Sequence, residues 1–246
     1  MKPFLILQLR PEAEASDGEY AAFLAKGGLA PADTTRIRLE QTALPQDLDL
    51  GAYSGVIVGG GPGCVSDPPE KKDALEARIE AQILGLMPEI CARDIPFLGC
   101  CYGLGILAHH LGGSVGQGRF GEPVGPVACD LTAEGRADPL MAGLPDRFDA
   151  LVGHKEAVEA MPRDSVLIAG SAPCPVQMIR HRRNVYATQF HPEADGAVFE
   201  ARIRLYGFKG YFRPEEADDL IATCHAAHIA WPERILRNFV QIYGRG

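Results

Sequence analysis

The first hundred residues alternate short apolar runs with longer stretches in which apolar residues recur at helical spacing. The apolar runs predict strands at residues 4–9, 35–39, 55–60 and 96–100. Helices are predicted at residues 18–26 and 70–86, and a third begins after Cys101 and ends at Gly112 and Gly113. Strands that alternate with crossover helices in this way predict an open, mostly parallel sheet flanked by helices.

The pattern changes after Gly113 to short valine-rich segments broken by glycine and proline. These segments predict further strands at residues 123–131, 148–152, 165–169 and 185–190. Short segments broken by glycine and proline in this way suggest antiparallel strands appended to the parallel sheet. The predicted fold class is therefore α/β, and residues 1–246 are predicted to form a single domain with no linker.

Beyond Glu193 the chain contains an insert at about residues 197–230, before a last predicted helix at residues 232–243. A helix is also predicted within it, at about residues 214–228. We expect a peripheral hairpin that packs its aromatic side chains on the domain, and the alternative is a lid or a surface for a partner. The aromatic and basic residues concerned are Arg202, Arg204, Tyr206, Phe208, Lys209, Tyr211, Phe212 and Arg213.

Composition excludes several classes of protein. With 246 residues, of which 46% are hydrophobic, the chain can bury a full core. It contains no run of about 20 uncharged apolar residues, and its first apolar run is too short for a secretion signal, which predicts a cytoplasmic protein with no membrane contact. The 7 cysteines lack the spacing of a disulfide framework or a metal site, and no cofactor is implied. A formal net charge of -8 argues against nucleic-acid binding.

Residues 96–106, PFLGCCYGLGI, carry an apolar strand into a Gly-x-Cys-x-Gly turn and then into a helix. Such a turn lifts its central side chain above the end of a sheet, and glycines at Gly99 and Gly103 are expected to avoid clashes between close backbone segments. Cys101 is the predicted nucleophile, with a pKa lowered by an imidazolium and by the helix amino terminus. Cys100 is expected to point into the core, because adjacent strand residues face opposite sides.

His191 and Glu193 follow the last predicted strand of the sheet, in the segment QFHPE. An imidazole near a thiol can accept its proton and later protonate a leaving group, and a carboxylate fixes the tautomer of the imidazole. The sequence therefore predicts a Cys101, His191 and Glu193 triad.

A glycine loop at residues 59–63 follows the predicted strand 55–58. Such a loop can supply backbone N–H groups to an oxyanion or to a phosphate. Because no Lys-Ser or Lys-Thr pair follows Gly63, a phosphate loop is disfavoured.

These three ordered motifs resemble the class I glutamine amidotransferase family, and within it the stand-alone members similar to the glutaminase domain of GMP synthase. The resemblance implies a flavodoxin-like sheet and an oxyanion hole formed by the N–H groups of Gly61 and Tyr102. It also implies substrate contacts, for which the predicted residues are Gly60, Gly63, Lys155 and Glu156.

One departure from the family pattern lies at Gly105, where relatives commonly have a glutamine that helps to bind substrate. The pocket is expected to lose a polar contact and to gain room. A γ-glutamyl compound larger than glutamine becomes more plausible as the substrate.

The resemblance implies hydrolysis of a γ-carboxamide through a Cys101 thioester, which releases glutamate and ammonia. The alternatives are a γ-glutamyl peptidase or hydrolase that uses the same triad, and a catalytically silent binding or regulatory module. Because the sequence lacks the length and the Ser-Gly-Gly-x-Asp-Ser loop of an ATP-dependent synthetase, a separate synthetase or acceptor subunit is a possible partner beside the small-molecule substrate.

Overall fold

The computed structural model describes residues 2–207 and 212–244. Its strands form one nine-stranded sheet. They are β1 (Phe4–Gln8), β2 (Thr34–Arg38), β3 (Gly55–Val58), β4 (Phe97–Cys100), β5 (Ser114–Leu131), β6 (Arg147–Ala160), β7 (Ser165–Gly170), β8 (Met178–His181) and β9 (Val185–Thr188). The strand order is β2-β1-β3-β4-β9-β8-β7-β5-β6.

The half of the sheet from β2 to β9 is parallel throughout. Every residue of β1, β3, β4 and β9 is buried, as expected for strands covered by helices on both faces. This order is that of a flavodoxin-like sheet, in which ligands bind beyond the carboxyl ends of the strands. The predicted fold class is confirmed.

The other half is antiparallel, and β8 joins the two halves by pairing with β9. Its longest pair, β5 with β6, has shifted registers between Gln117 and Glu122 and between Glu122 and Gly125. β6 extends well past the predicted residues 148–152 and thereby brings Lys155 and Glu156 onto a strand. β8 was not predicted, because its sequence MIRH shows neither an apolar run nor a clear alternation.

The described residues form seven α-helices. They are α1 (Ala13–Gly27), α2 (Ala74–Arg93), α3 (Tyr102–His110), α4 (Ala133–Ala137), α5 (Gly196–Tyr206), α6 (Ala217–Ala226) and α7 (Pro232–Tyr243). α1 ends at Gly28 with a φ of 68°, a left-handed conformation that glycine adopts without strain. α7 has the predicted bounds and buries Ile235, Leu236 and Phe239.

The core has one apolar layer on each face of the sheet. α2 and α3 cover one face through residues such as Ile83 and Leu107, whereas α1 and α7 cover the other through Phe23 and Phe239. In the described parts of the chain, no helix combines the length and the apolar character needed to cross a bilayer.

The insert folds as two helices, α5 and α6, rather than as an extended hairpin. Phe199 and Ile203 of α5 and Ile221 of α6 form a small apolar cluster with Leu151 of β6. Three aromatic or basic residues singled out in this segment, Phe208, Lys209 and Tyr211, lie outside the described residues.

Candidate active site

The carboxyl ends of β1, β3, β4 and β9 meet at one edge of the parallel half. Arg10 follows β1, the loop of residues 59–63 follows β3, Cys101 follows β4, and His191 follows β9. The fold thus brings together groups that are up to 181 positions apart in sequence, and it does so at the edge where open α/β sheets bind ligands.

Cys101 lies at the sharp turn between β4 and α3. Its φ of 52° and ψ of −96° are unusual for a residue with a side chain, and its N–H donates to the carbonyl of Thr188 on β9 at 2.7 Å. The turn directs the thiol to a cavity, while Cys100 is fully buried in the core as predicted. Backbone strain of this kind is typical of functional turns.

The two glycines that flank this turn differ in their need to be glycine. A Cβ on Gly99 would lie 2.9 Å from the Phe97 ring and 3.0 Å from the carbonyl carbon of Gly103, tighter than nearly all real Cβ contacts. A Cβ on Gly103 would meet nothing closer than 3.7 Å, at Val58. The steric requirement predicted for both therefore applies to Gly99 alone.

His191 and Glu193 form a buried pair. The imidazole Nδ1 lies 2.8 Å from Glu193 Oε1, so Nδ1 carries the proton and Nε2 is left as the basic nitrogen. The edge of Phe199 on α5 packs against the imidazole, with ring centroids 5.7 Å apart. The backbone N–H of His191 donates to the carbonyl of Leu151 at 3.2 Å, which ties this segment to β6.

Glu193 shares its Oε1 with a second donor, Arg202 of α5, whose Nη2 lies 2.8 Å away. The same Nη2 lies 3.6 Å from Glu19 Oε1, and this oxygen also accepts from Arg10 Nε at 2.9 Å and from the N–H of Gly60 at 3.1 Å. Two carboxylates and two guanidinium groups are therefore linked in one buried network.

The network sets the protonation of the His191 and Glu193 pair. Burial favours the neutral form of Glu193, but His191 and Arg202 outweigh it and hold the pKa of this carboxyl well below its ordinary value. Burial lowers the pKa of His191; Glu193 opposes this effect, and the positive charges of Arg202 and Arg10 reinforce it. At neutral pH the pair is a carboxylate and a neutral imidazole.

The expectation of a lowered pKa for Cys101 is wrong. Burial raises the pKa of this thiol to about 11, and the positive charges of Arg10 and Arg202 only partly offset that effect. With a neutral imidazole beside it, the thiol lacks the imidazolium that was expected to stabilise a thiolate.

Two cavities meet at the thiol, and both are lined by Gly61, Cys101 and Gly153. The first, of about 490 Å³, is called here the arginine cavity. Its wall includes Arg10, His191, Phe199, Arg202, Tyr206 and Phe212. The second, of about 340 Å³, is called here the Glu156 cavity. Its wall includes Gly63, Tyr102, Gly105, Lys155, Glu156 and Gln189.

The residues predicted to bind substrate do not all lie in one place. Gly63, Lys155 and Glu156 line the Glu156 cavity, as do the predicted oxyanion residues Gly61 and Tyr102. Tyr102 is the first residue of α3, where backbone N–H groups have no acceptor within the helix.

Gly60 lies apart from these predicted substrate-binding residues. Its N–H already donates to Glu19, and a Cβ there would lie 2.6 Å from the imidazole Cε1 of His191. Any contact between Gly60 and substrate would therefore have to use its carbonyl or its Cα.

The space expected to open at Gly105 is occupied by Glu156. A Cβ on Gly105 would lie 2.4 Å from Glu156 Oε1, while Glu156 Oε2 accepts from the N–H of Ser66 at 2.6 Å. Burial raises the pKa of Glu156, although the bonds to Ser66 oppose this. The prediction that the pocket gains room is wrong, because a carboxyl group from β6 fills the position that the small residue leaves.

Sequence reasoning missed Arg10, Glu19, Gln189 and Arg202. Arg10 carried one usable signal, since it directly follows a buried strand. Gln189 lies beside His191, and its Nε2 is 3.8 Å from Cys101 Sγ. Glu19 and Arg202 lie on helices whose sequences give no sign of the distant partners.

The first helix of the insert is not peripheral, contrary to the expected hairpin. Phe199, Arg202 and Tyr206 of α5 line the cavity beside the thiol, and Arg202 contacts Glu193 directly. Tyr206 also contacts Arg10, with its hydroxyl 3.4 Å from Arg10 Nη1.

Among the described residues, one group of potential metal ligands consists of Glu122 on β5, His154 on β6 and Cys174. Both imidazole nitrogens of His154 are engaged, Nδ1 with the carbonyl of Glu156 and Nε2 with Glu122 Oε2, each at 2.8 Å. Gln177 donates to the same carboxylate oxygen at 2.6 Å. These bonds are more consistent with a structural role than with a metal site, because they form a buried hydrogen-bond network that holds the strand bearing Glu156.

Comparison with known proteins agrees with this architecture. The sequence model of the family described as glutamine amidotransferase class-I matches residues 28–205. The GMP synthase (glutamine-hydrolyzing) of Thermomicrobium roseum is 34% identical over 155 residues, which are 61% of this chain. That of Thermosipho melanesiensis is 33% identical over 155 residues. This chain spans only 26% of the length of either relative.

Solved structures support the fold. A glutamine amidotransferase from Thermotoga maritima superposes with a TM-score of 0.74 at 20% identity and covers 100% of both chains. One from Methylobacillus flagellatus has a TM-score of 0.69 at 21% identity, with 98% of this chain and 95% of the other covered. With the family model matching most of its length, the chain belongs to the class I glutamine amidotransferase family.

Proposed function

We propose that this protein hydrolyses the γ-carboxamide of a γ-glutamyl substrate through a thioester on Cys101, with glutamate and ammonia as the products from glutamine itself. The observation that carries the proposal is the 2.8 Å contact between His191 Nδ1 and Glu193 Oε1 beside a cavity that Cys101 and His191 both line. Membership of the class I glutamine amidotransferase family supports it.

The reaction begins from a neutral thiol and a neutral imidazole. His191 Nε2 takes the proton of Cys101 as Sγ attacks the γ-carbonyl carbon, and Glu193 stabilises the imidazolium that forms. Proton transfer in step with attack avoids a free thiolate, which burial disfavours.

The backbone N–H groups of Gly61 and Tyr102 are the proposed donors to the tetrahedral oxyanion. The imidazolium of His191 then protonates the leaving nitrogen, the C–N bond breaks and a thioester remains on Cys101. Water attacks the thioester carbonyl, gives a proton to His191 and releases the acid. His191 returns that proton to Cys101 Sγ, so no net proton stays on the protein.

The glutamyl half of the substrate is proposed to occupy the Glu156 cavity. Glu156 offers a buried carboxyl group for the α-ammonium, and Lys155 offers a cation for the α-carboxylate. The side chain of Gln189 lies close enough to the thiol to help position the γ-carboxamide.

Glutamate release from glutamine and from γ-glutamyl amides, measured for the natural protein and for Cys101→Ser, tests the proposal. We expect release that Cys101→Ser abolishes. Cys100→Ser is the matched control, because the neighbouring thiol is fully buried and faces the core. Absence of release from every substrate would contradict the proposal and leave a binding or regulatory module. Equal loss in both variants would contradict the assignment of the nucleophile.

When glutamine is the substrate, the ammonia is proposed to pass to a separate synthetase or acceptor subunit. Support comes from the matched relatives, which are named GMP synthase and extend well beyond the matched region. The test is whether a candidate ATP-dependent synthetase forms its aminated product from glutamine only when this protein is added. Product formed equally well without it would contradict the partnership.

A further inference from the structure

We propose that the arginine cavity receives the amine half of the substrate, and that this amine has an apolar body and a carboxylate. The preferred substrates would then be γ-glutamyl derivatives of apolar amino acids rather than free glutamine. This inference rests on the proposed function, because it concerns what leaves when the thioester forms.

The position of His191 decides which cavity holds which half of the substrate. In the proposed reaction His191 protonates the leaving nitrogen, so the leaving amine must lie on the side of the imidazole. His191 lines the arginine cavity and not the Glu156 cavity. The glutamyl group therefore points one way from Cys101 and the amine points the other way.

The wall of the arginine cavity offers contacts that ammonia cannot use. The cavity is also the larger of the two that meet at the thiol, about 490 Å³ against about 340 Å³. The apolar part of its wall comes from Val124, Phe199, Ile203 and Phe212. Such a wall fits a hydrocarbon or aromatic body, whose burial is favourable, and it gains nothing from ammonia.

The buried charge network exposes its positive groups, and not its carboxylates, to this cavity. Its two guanidinium groups, of Arg10 and Arg202, line the cavity, whereas the carboxylates of Glu19 and Glu193 do not. Among the described residues, the charged groups on the wall are thus both positive. A cationic amine half, such as that of a γ-glutamyl polyamine, would meet repulsion there, and a carboxylate would meet attraction.

Arg10 is placed to bind that carboxylate. Its Nε donates to Glu19 and its Nη1 to the Tyr206 hydroxyl, so neither bond uses Nη2. A Cβ on Gly60 would lie 2.9 Å from Arg10 Nη2 and 2.6 Å from His191 Cε1. Arg10 Nη2 and the imidazole therefore flank the same glycine, within reach of one bound amino acid.

The experiment compares kcat/KM for four substrates that share the glutamyl half. They are glutamine, γ-glutamyl-phenylalanine, the same dipeptide with its carboxylate amidated, and γ-glutamyl-putrescine. We expect γ-glutamyl-phenylalanine to exceed glutamine by at least about tenfold. Amidation should remove about a factor of ten, the typical effect of one hydrogen bond to a charged group.

Arg10→Met supplies the internal control. Because Arg10 also contacts Glu19, this change is expected to lower all rates, so the informative quantity is the ratio of kcat/KM for the dipeptide to that for its amide. We expect the ratio to fall toward one in Arg10→Met and to be largely kept in Arg10→Lys, which retains the charge.

Four outcomes would overturn the inference. If glutamine were hydrolysed as efficiently as the dipeptide, the arginine cavity would be a route for ammonia, and the proposed function would stand. A preference for γ-glutamyl-putrescine, or an unchanged ratio in Arg10→Met, would also overturn it with the proposed function intact. Absence of glutamate release from all four substrates would remove the proposed function and the inference with it.

Discussion

Cys101 and His191 rest as a neutral pair because burial acts on them in opposite directions. It raises the pKa of the thiol to about 11 and lowers that of the imidazole, and both shifts disfavour the charged form. The thiol therefore stays protonated at neutral pH. This differs from cysteine enzymes in which a lowered pKa maintains a thiolate at rest.

Titration of the thiol provides the first prediction. The thiolate absorbance at 240 nm, taken as the natural protein minus Cys101→Ser, should show no step near neutral pH and should rise only as the pH approaches 11. The sign follows from burial, which opposes the charged thiolate. The corresponding difference, the natural protein minus Cys100→Ser, should show no step in this range, because burial raises the pKa of that thiol well above its ordinary value. A step below pH 7.5 that Cys101→Ser removes would show a resting ion pair instead.

Residues with informative sequence neighbours were predicted, and residues whose partners are distant were not. Cys101 stands between glycines at the end of a strand, and His191 and Glu193 are two positions apart. Glu19, in contrast, meets Arg202 only because α1 and α5 pack beside each other. No pattern local to either residue carries that information.

At the level of elements, α3 and β6 pack together because one residue of α3 is a glycine. Gly105 of α3 leaves the space that Glu156 of β6 fills, and Glu156 is held there by the N–H of Ser66. The carboxyl group in the proposed glutamyl pocket thus depends on a glycine on another element. From the sequence, the same glycine predicted an empty space.

This coupling gives a stability prediction. Gly105→Ala should destabilise the fold by about 1 kcal/mol, because loss of the Ser66 bond, about 1.5–3 kcal/mol, exceeds the gain in helix propensity of about 0.5–1 kcal/mol. In a Glu156→Ala background the same change should stabilise instead, by about 0.5–1 kcal/mol. Chemical denaturation measures the free energy of unfolding of Gly105→Ala in the natural protein and in the Glu156→Ala background.

Gly85→Ala is the matched control for that cycle. Gly85 lies within α2, is exposed, and a Cβ there would meet no atom within 4 Å. The substitution should therefore stabilise the fold by about 0.5–1 kcal/mol, and it should do so whether or not Glu156 is present. A Gly105→Ala effect that is likewise independent of Glu156 would contradict the proposed fit between the two elements.

The helix α5 was missed for a physical reason. The buried face of α5 consists of Phe199, Arg202, Ile203 and Tyr206. These residues have helical spacing, but one of them is an arginine within an otherwise apolar face. An arginine is buried there only because Glu193 and Glu19 neutralise it, and neither lies on α5. The parallel half was predicted well because its strands are buried on both faces and appear as continuous apolar runs.

For the molecule as a whole, the buried charge network fastens distant parts of the chain to one another. Arg10 at the end of β1, Glu19 on α1, Glu193 after β9 and Arg202 on α5 are joined within contact distance. The loop after β3 is joined to them by the N–H of Gly60. A buried network of this kind is costly to break, because removal of one partner leaves an uncompensated charge.

Arg202→Gln tests the effect of the network on the proposed chemistry. The positive charge of Arg202 lowers the pKa of His191, so its removal should raise that pKa. Activity requires the neutral imidazole as base, and the acid limb of the kcat/KM profile should therefore move to higher pH. The loss of activity should be greater at pH 6 than at pH 8, and stability should fall by about 3 kcal/mol.

Arg202→Lys is the control for that change, because it keeps the positive charge while it loses the planar geometry of the guanidinium. Its acid limb should stay close to that of the natural protein even if its maximal rate falls. An acid limb that is unmoved in Arg202→Gln would mean that Arg202 has a packing role alone.

α5 both shapes the arginine cavity and holds Glu193. Phe199, Ile203 and Tyr206 form part of the cavity wall. Arg202, on the same helix, donates to the carboxylate of Glu193, which orients His191. On the proposed function, exchange of α5 would therefore alter the leaving-group preference and the pH dependence of activity together.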